Sequence, residues 1–454
     1  MRLSCSWTCL FVLTFLLSCS KEQDERENVV LEKPLLVSSS IADLAENIVS
    51  GSQVIILTFD QNITVPKVDD IRLNGRELKE VRAAFKEIRI QVELERATKY
   101  VLHIPANTVK GPTGMGANEI TITFSTRGAS DQIISTQLVT KNPISPARKV
   151  YDFLRENYGN KVISATMSNV NWNIYEAEWV YKHTGKYPAM ACFDFVHHYF
   201  SPANWIDYSD TKVVENWWAE RGLVGATWHW NVPKTTGSKD RAFYVSETDF
   251  DIKRALIPGT YEHGVIIEDL DKIAEYLLLL KSKNIPVIWR PLHEAAGKWF
   301  WWGAKDAQSY RELWILMFDI FQEKGLNNLI WVWTSESKDD AWYPGDAYVD
   351  VISCDIYNKN IPTDIVSVYN QLSDTYPAKI IALSEFGNVA SLASQWNGGA
   401  KWSWVMPWYD YDRTMDPSAA AFGEVTHQHA DISYWKGMLE NDYVLSREDM
   451  PDLK

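Results

Sequence analysis

From about Lys141 onward the chain repeats one pattern: a short apolar run, a longer stretch with helical periodicity, then another short apolar run. The runs are Val162–Thr166, Pro188–Phe193, Leu223–Thr227, Pro286–Trp289, Leu329–Trp333, Val349–Ser353, Lys379–Leu383 and Lys401–Val405. They are largely apolar throughout rather than alternating, as strands covered on both faces must be. Between most of them lie stretches such as Ile267 to Lys283 and Asp306 to Lys324, each closed by a glycine or asparagine before the next run. Eight such units across roughly 300 residues predict an α/β fold, a (β/α)8 barrel rather than an open doubly wound sheet.

Upstream the pattern changes to β-branched runs, Gln53–Phe59, Lys99–Ile104 and Glu119–Phe124, separated by turn formers at Asn74-Gly75 and Gly111–Gly114. This predicts a small all-β sandwich over residues 34–127, ahead of a catalytic barrel over 128–454. The sandwich resembles a bacterial immunoglobulin-like module, for which a spacer role is expected. Residues 1–18 read as a leader: Met1-Arg2 is positive, and the Leu10–Leu17 run is far shorter than the roughly 20 residues of a membrane span. Leu16-Leu17-Ser18-Cys19 resembles a lipobox, which makes Cys19 the lipidated first residue of the mature chain. Residues 19–33 form a polar tether, and its opening Ser20–Glu25 resembles the acidic signal that sends lipoproteins to the outer face of a Gram-negative outer membrane. With Cys5 and Cys9 in the leader, Cys192 and Cys354 remain, both in apolar runs where a free thiol packs as a small hydrophobe. A net charge of -14 repels phosphate backbones and anionic lipid, so nucleic acid is not an expected partner and the membrane is met only through the N-terminal lipid. A monomer is expected.

In a barrel the chemistry sits where the strands end. Strand four ends in Arg290-Pro-Leu-His293-Glu294 and strand seven in Ser384-Glu385-Phe386-Gly387. His293-Glu294 opens like a zinc-protease helix, but the second histidine would fall at 297, which is Gly297. No Gly-x-Gly-x-x-Gly follows any strand and no Walker-type lysine loop is present, so neither a metal nor a nucleotide cofactor is expected. Two carboxylates at one mouth are what glycoside hydrolysis needs, one to donate a proton and one to attack or stabilise the anomeric carbon. The chain also carries 21 tryptophans, flat rings suited to the C–H faces of sugars.

Arg290–Glu294 with Trp299-Phe-Trp-Trp-Gly303 downstream, Thr227–Asn231, Asp355-Ile-Tyr357 and Ser384–Gly387 together resemble glycoside hydrolase family 26, whose members are mostly retaining β-1,4-mannanases. The resemblance implies Glu294 as general acid/base and Glu385 as nucleophile. It implies Trp299 lining the reacting subsite, Tyr357 touching the nucleophile, His293 beside the acid/base, and His229 with Trp230 binding sugar on the glycone side. Trp408 becomes the platform under the reacting sugar, followed here by Tyr409 where some members carry arginine. The implied substrate is β-mannan, galactomannan or glucomannan, without metal or organic cofactor. Two alternatives stand beside it: a β-glycanase of the same family acting on xylan or mixed-linkage glucan, and a non-catalytic surface glycan-binding lipoprotein. Asp194, His197 and His198, at the end of strand two, are further candidates for substrate contact. Trp301 and Trp302 fit either packing or binding, Trp331 and Trp333 fit core and rim respectively, and Trp217 and Trp218 fit helix packing.

Overall fold

The computed structural model describes residues 32–128, 133–336, 339–411 and 416–454. The leader, Cys19 and most of the tether lie outside the described residues. Among the described residues no helix is long and apolar enough to cross a membrane.

The eight apolar runs form eight parallel strands: β1 (Val162–Met167), β2 (Met190–Asp194), β3 (Leu223–Trp228), β4 (Val287–Pro291), β5 (Leu329–Ser335), β6 (Val351–Tyr357), β7 (Ile380–Gly387) and β8 (Trp404–Pro407). Each pairs with the next, and β1 pairs with both β2 and β8, so the sheet closes on itself. Closure leaves no bare edge, and the sheet is wrapped by helices, which is why its strands read as apolar along their length. The helix starts follow their caps. Asp306 accepts from the Ser309 N–H at the head of Ala307–Glu323, and Thr260 from the His263 N–H at the head of Tyr261–Ser282. Their ends are turned by Gly325 and Asn284 in the left-handed conformation.

Residues 34–127 form two facing sheets, one built on Gly51–Phe59 and Glu87–Leu94, the other on Lys99–Ile104 and Ile120–Thr126. Ile55, Leu57, Ile88 and Ile90 from the first pack against Leu102, Ile104, Ile122 and Phe124 from the second in one separate core. Asn74 and Gly75, with φ of 49° and 75°, turn a tight hairpin between Arg72–Leu73 and Arg76–Glu77, as their sequence predicts. This module is docked on the barrel. The buried Asp374, near the end of the helix Pro362–Thr375, accepts at Oδ2 from the Ser50 N–H (3.0 Å) and hydroxyl (2.5 Å), and at Oδ1 from Arg96. A module held this way is fixed to the barrel rather than swinging from it.

Candidate active site

β4 delivers the first cluster. Immediately after it Leu292, Glu294 and Lys298 all take left-handed backbone conformations, with φ of 49°, 53° and 63°. Such conformations persist only where the surroundings over-determine them. Here the Leu292 carbonyl accepts from the Tyr310 hydroxyl (3.1 Å), the His293 carbonyl accepts from Trp302 Nε1 (2.8 Å), and the Leu292 side chain is fully buried. The turn so fixed presents the Glu294 carboxyl, whose Oε2 accepts from Trp299 Nε1 at 3.0 Å. The Trp299 ring lies over Gly297, where a Cβ would meet ring carbons at 2.0 Å. The glycine that excludes a zinc helix is therefore what lets the indole reach the glutamate.

β7 delivers the second cluster through an irregularity. Cys354 of β6 faces Leu383, but the next residue, Asp355, faces Glu385, so Ser384 is an extra residue in β7. A bulge of this kind re-aims the side chains around it. The Ser384 hydroxyl donates to Asp355 Oδ1 (2.7 Å), while Glu385 takes Arg290 Nη1 on one oxygen (2.6 Å) and the Tyr357 hydroxyl on the other (2.9 Å). The buried Arg290 also bonds Asp355 Oδ2 and the Thr334 hydroxyl, so one guanidinium serves two carboxylates. A Cβ on Gly387 would lie 2.4 Å from His429 Nδ1 and 2.8 Å from the Tyr357 ring, so both rings pack on bare backbone there.

Among the described residues, four carboxyl groups, Glu294, Glu336, Asp355 and Glu385, thus surround one cation, Arg290. Burial raises the affinity of each for a proton, and their mutual repulsion adds to it. The protons distribute by partner. Asp355 and Glu385 share Arg290 and accept further bonds from Ser384 and Tyr357, contacts that favour their charged forms against the burial that raises both. Among the described residues Glu294 has no cation of its own. Burial first, then Glu385 and Glu336, push it upward to about 7. Its carboxyl also hydrogen-bonds that of Asp355, so the two share one proton. One oxygen each from Glu294, Glu336 and Asp355 lies within 4.8 Å of the others, a spacing a cation also tolerates. With Asp355 engaged by Arg290 and Glu294 by Trp299, the arrangement is one of shared protons. His293 is buried, and desolvation, with Arg290 and His229 nearby, keeps its ring neutral.

The other residues named from sequence divide into two groups. His229 sits at the mouth, its Nδ1 2.7 Å from Asp194 Oδ2 and its ring 4.6 Å from that of His293 and 5.7 Å from that of Trp408. Trp408 is itself bonded through Nε1 to the hydroxyl of the exposed Tyr411. Asp194 thus acts by orienting His229. Trp230 is a correction: it is fully buried, stacked on Trp228 at 4.0 Å with Nε1 donating to Asp269, so it packs the barrel wall and presents no face to a sugar. It follows His229 directly, and the backbone sends neighbouring side chains opposite ways. His198 is likewise buried, bridging Trp228 and Asp269. Trp301, Trp302 and Trp333 are all buried, so Trp333 is core rather than rim. Trp217, Trp218 and Trp331 are packed as expected, and Cys192 and Cys354 are free and buried.

Sequence reasoning missed Tyr244, Tyr411 and Glu336. Both tyrosines are substantially exposed, and both feel the charges of Glu294 and Glu385, so they flank the carboxyl pair from the loops after β3 and β8. Nothing in their sequence context marks them, apart from Tyr411 lying three residues beyond Trp408.

Residues 139–433 match the family model described as glycosyl hydrolase family 26. Among curated proteins the chain is 36% identical, over 69% of its own length and 66% of the relative's, to a mannan endo-1,4-β-mannosidase of Thermothelomyces thermophilus. It is 36% identical over 61% of its length and 48% of the relative's to mannan endo-1,4-β-mannosidase B of a Piromyces species. The matches thus span about half to two thirds of these relatives. Among solved structures, the family-26 domain of an endo-β-mannanase/endo-β-glucanase from Prevotella bryantii superposes with a TM-score of 0.64 at 35% identity, covering 70% of this chain and 99% of that one. A β-mannanase from a symbiotic protist of the termite Reticulitermes speratus, solved with a gluco-manno-oligosaccharide, gives 0.60 at 34% identity, covering 71% and 99%. With the barrel closed and both strand-end glutamates at its mouth, the chain belongs to glycosyl hydrolase family 26.

Proposed function

We propose that the protein is a retaining endo-β-1,4-mannanase acting on mannan, galactomannan or glucomannan. The observation that carries this is the asymmetry of the two glutamates. Glu385 is paired with Arg290 and accepts from Tyr357, contacts that favour its ionised form, while Glu294 bonds the Trp299 indole and has no ion pair among the described residues, the difference a nucleophile and an acid at one mouth require. Glu385 attacks the anomeric carbon and the bond to the leaving oxygen breaks, that oxygen taking the Glu294 proton. Glu294, now a carboxylate, removes a proton from water, and the resulting hydroxide displaces Glu385 from the anomeric carbon. The mannosidase names of the relatives support the choice of sugar. Purified protein is expected to release oligosaccharides from mannan and galactomannan. Faster release from xylan or mixed-linkage glucan would move the assignment to another β-glycan, and binding without cleavage would leave only a glycan-binding lipoprotein.

In this reading Trp408, Trp299 and His229 contact the sugar from different strand ends. Trp408→Ala removes a stacking face whose loss costs a few kcal/mol in transition-state binding, a drop of roughly 100-fold in kcat/KM with the fold intact. Unchanged mannan turnover in a folded variant would remove Trp408 from the platform.

The lipobox-like Leu16–Cys19 and the acidic Ser20–Glu25 support a cell-surface lipoprotein of a Gram-negative outer membrane, with residues 34–127 as an immunoglobulin-like spacer and a monomeric barrel. Cys19→Ser is expected to release activity from the membrane fraction; activity that stays membrane-bound in that variant would rule out the anchor.

A further inference from the structure

The helix Pro362–Thr375 joins β6, which carries Asp355 and Tyr357, to β7, which carries Glu385, so it backs the nucleophile side of the mouth. Ile365, Tyr369 and Leu372, spaced to share one stripe of this helix, are buried in the barrel core. The opposite stripe of an outer helix ordinarily meets water, but here Ser367, Gln371 and Asp374 lie under the module of residues 34–127. A Cβ on Gly51, where the module's strand Gly51–Phe59 begins, would lie 3.3 Å from the Ser367 hydroxyl and 3.6 Å from the Gln371 Cβ. Two turns beyond Ser367, the Asp374 side chain is wholly buried. Its donors among the described residues all belong to the module: the Ser50 N–H, the Ser50 hydroxyl and Arg96. The Asp374 carbonyl also accepts from Arg127. Three separate segments of the module thus converge on one turn of the helix.

Polar contacts between two modules of one chain ordinarily let them move. Here a partial opening would take the donors from Asp374 before water could replace them, and a buried carboxylate without its cation is strongly unfavourable. We propose that residues 34–127 buttress the barrel: the Asp374 cluster latches the module to the helix behind the nucleophile, and module and barrel unfold as one cooperative unit. This goes beyond the spacer role, and it needs neither the lipid anchor nor the identity of the sugar. Ser50, Arg96 and Asp374 act on how long the site survives, not on its chemistry.

The test is urea unfolding and heat inactivation of the full chain and of its Arg96→Met and Arg96→Met/Asp374→Asn variants. No tryptophan lies within residues 34–127, so indole fluorescence reports the barrel, while hydrogen exchange of Gly51–Phe59 and Glu87–Leu94 reports the module. In the parent the two probes are expected to share one urea midpoint. Arg96→Met strands the carboxylate. Its fluorescence midpoint should fall, exchange within Pro362–Thr375 should quicken, and the half-life of activity on heating should shorten roughly ten-fold, with kcat and KM at room temperature within about two-fold of the parent. Adding Asp374→Asn removes the stranded charge and should restore part of the lost half-life. Separate midpoints in the parent overturn the proposal, because the two parts would then be independent bodies. An Arg96→Met protein with parental midpoint and half-life overturns it too, as does a double variant no better than the single one. If Arg96→Met does not fold, the double variant decides: a shortened half-life at unchanged kcat supports the latch, and parental values overturn it.

Discussion

Glu385→Ala is expected to abolish hydrolysis of mannan and of activated aryl mannobiosides alike, by on the order of 10⁵-fold, because no covalent path remains whatever the leaving group. Glu294→Ala should fail differently. Mannan needs its leaving oxygen protonated and should be lost almost as completely, whereas an activated phenol needs little protonation, so the first step should persist and the glycosyl-enzyme should accumulate. Rates of both substrates in both variants check this. Equal losses on the aryl substrate would show that the two carboxyls do not have separate jobs.

Arg290→Met should be the most damaging change away from the two glutamates. It removes the counter-charge of two carboxylates at once, leaving Asp355 and Glu385 buried without a cation. Breaking a buried pair by deleting one partner costs about 3–5 kcal/mol. The carboxylates escape part of that cost by taking up protons, which neutralises the nucleophile. The expected result is a several-kcal/mol fall in urea-unfolding stability at neutral pH, together with residual activity that climbs as pH rises and Glu385 ionises. A variant as stable as the parent, with a parental pH profile, would contradict the placement of charge described above.

The barrel was legible because burial on both faces leaves a direct mark: all eight strands were found, most to within a few residues at each end. The longer errors fall at the active face. β6 and β7 run on through Asp355–Tyr357 and Ser384–Gly387, where polar residues at the mouth break the apolar run although the backbone stays paired. The glutamates were legible for the same reason, standing as isolated charges at strand ends. What could not be read was side-chain direction. His229 and Trp230 belong to one motif, yet one faces the mouth and the other Asp269, and only the local backbone decides which. The bulge at Ser384, the bridging role of Arg290 and the closeness of Glu336 to Glu294 are pairings across strands distant in sequence, and no local pattern encodes them. Tyr244 and Tyr411 stayed hidden among the 21 tyrosines of an aromatic-rich chain.

The assignment of Glu294 and Glu385 to acid and nucleophile meets its most direct test in the configuration of a trapped product. Glu294→Ala is incubated with an aryl β-mannobioside of good leaving group and with azide, and the glycosyl azide is identified by NMR. Azide should enter the space left by the missing carboxyl and displace Glu385 from the covalent intermediate, giving the β-glycosyl azide. An α-glycosyl azide from this variant would mean that azide has replaced the nucleophile itself, and the roles given to the two glutamates would be contradicted.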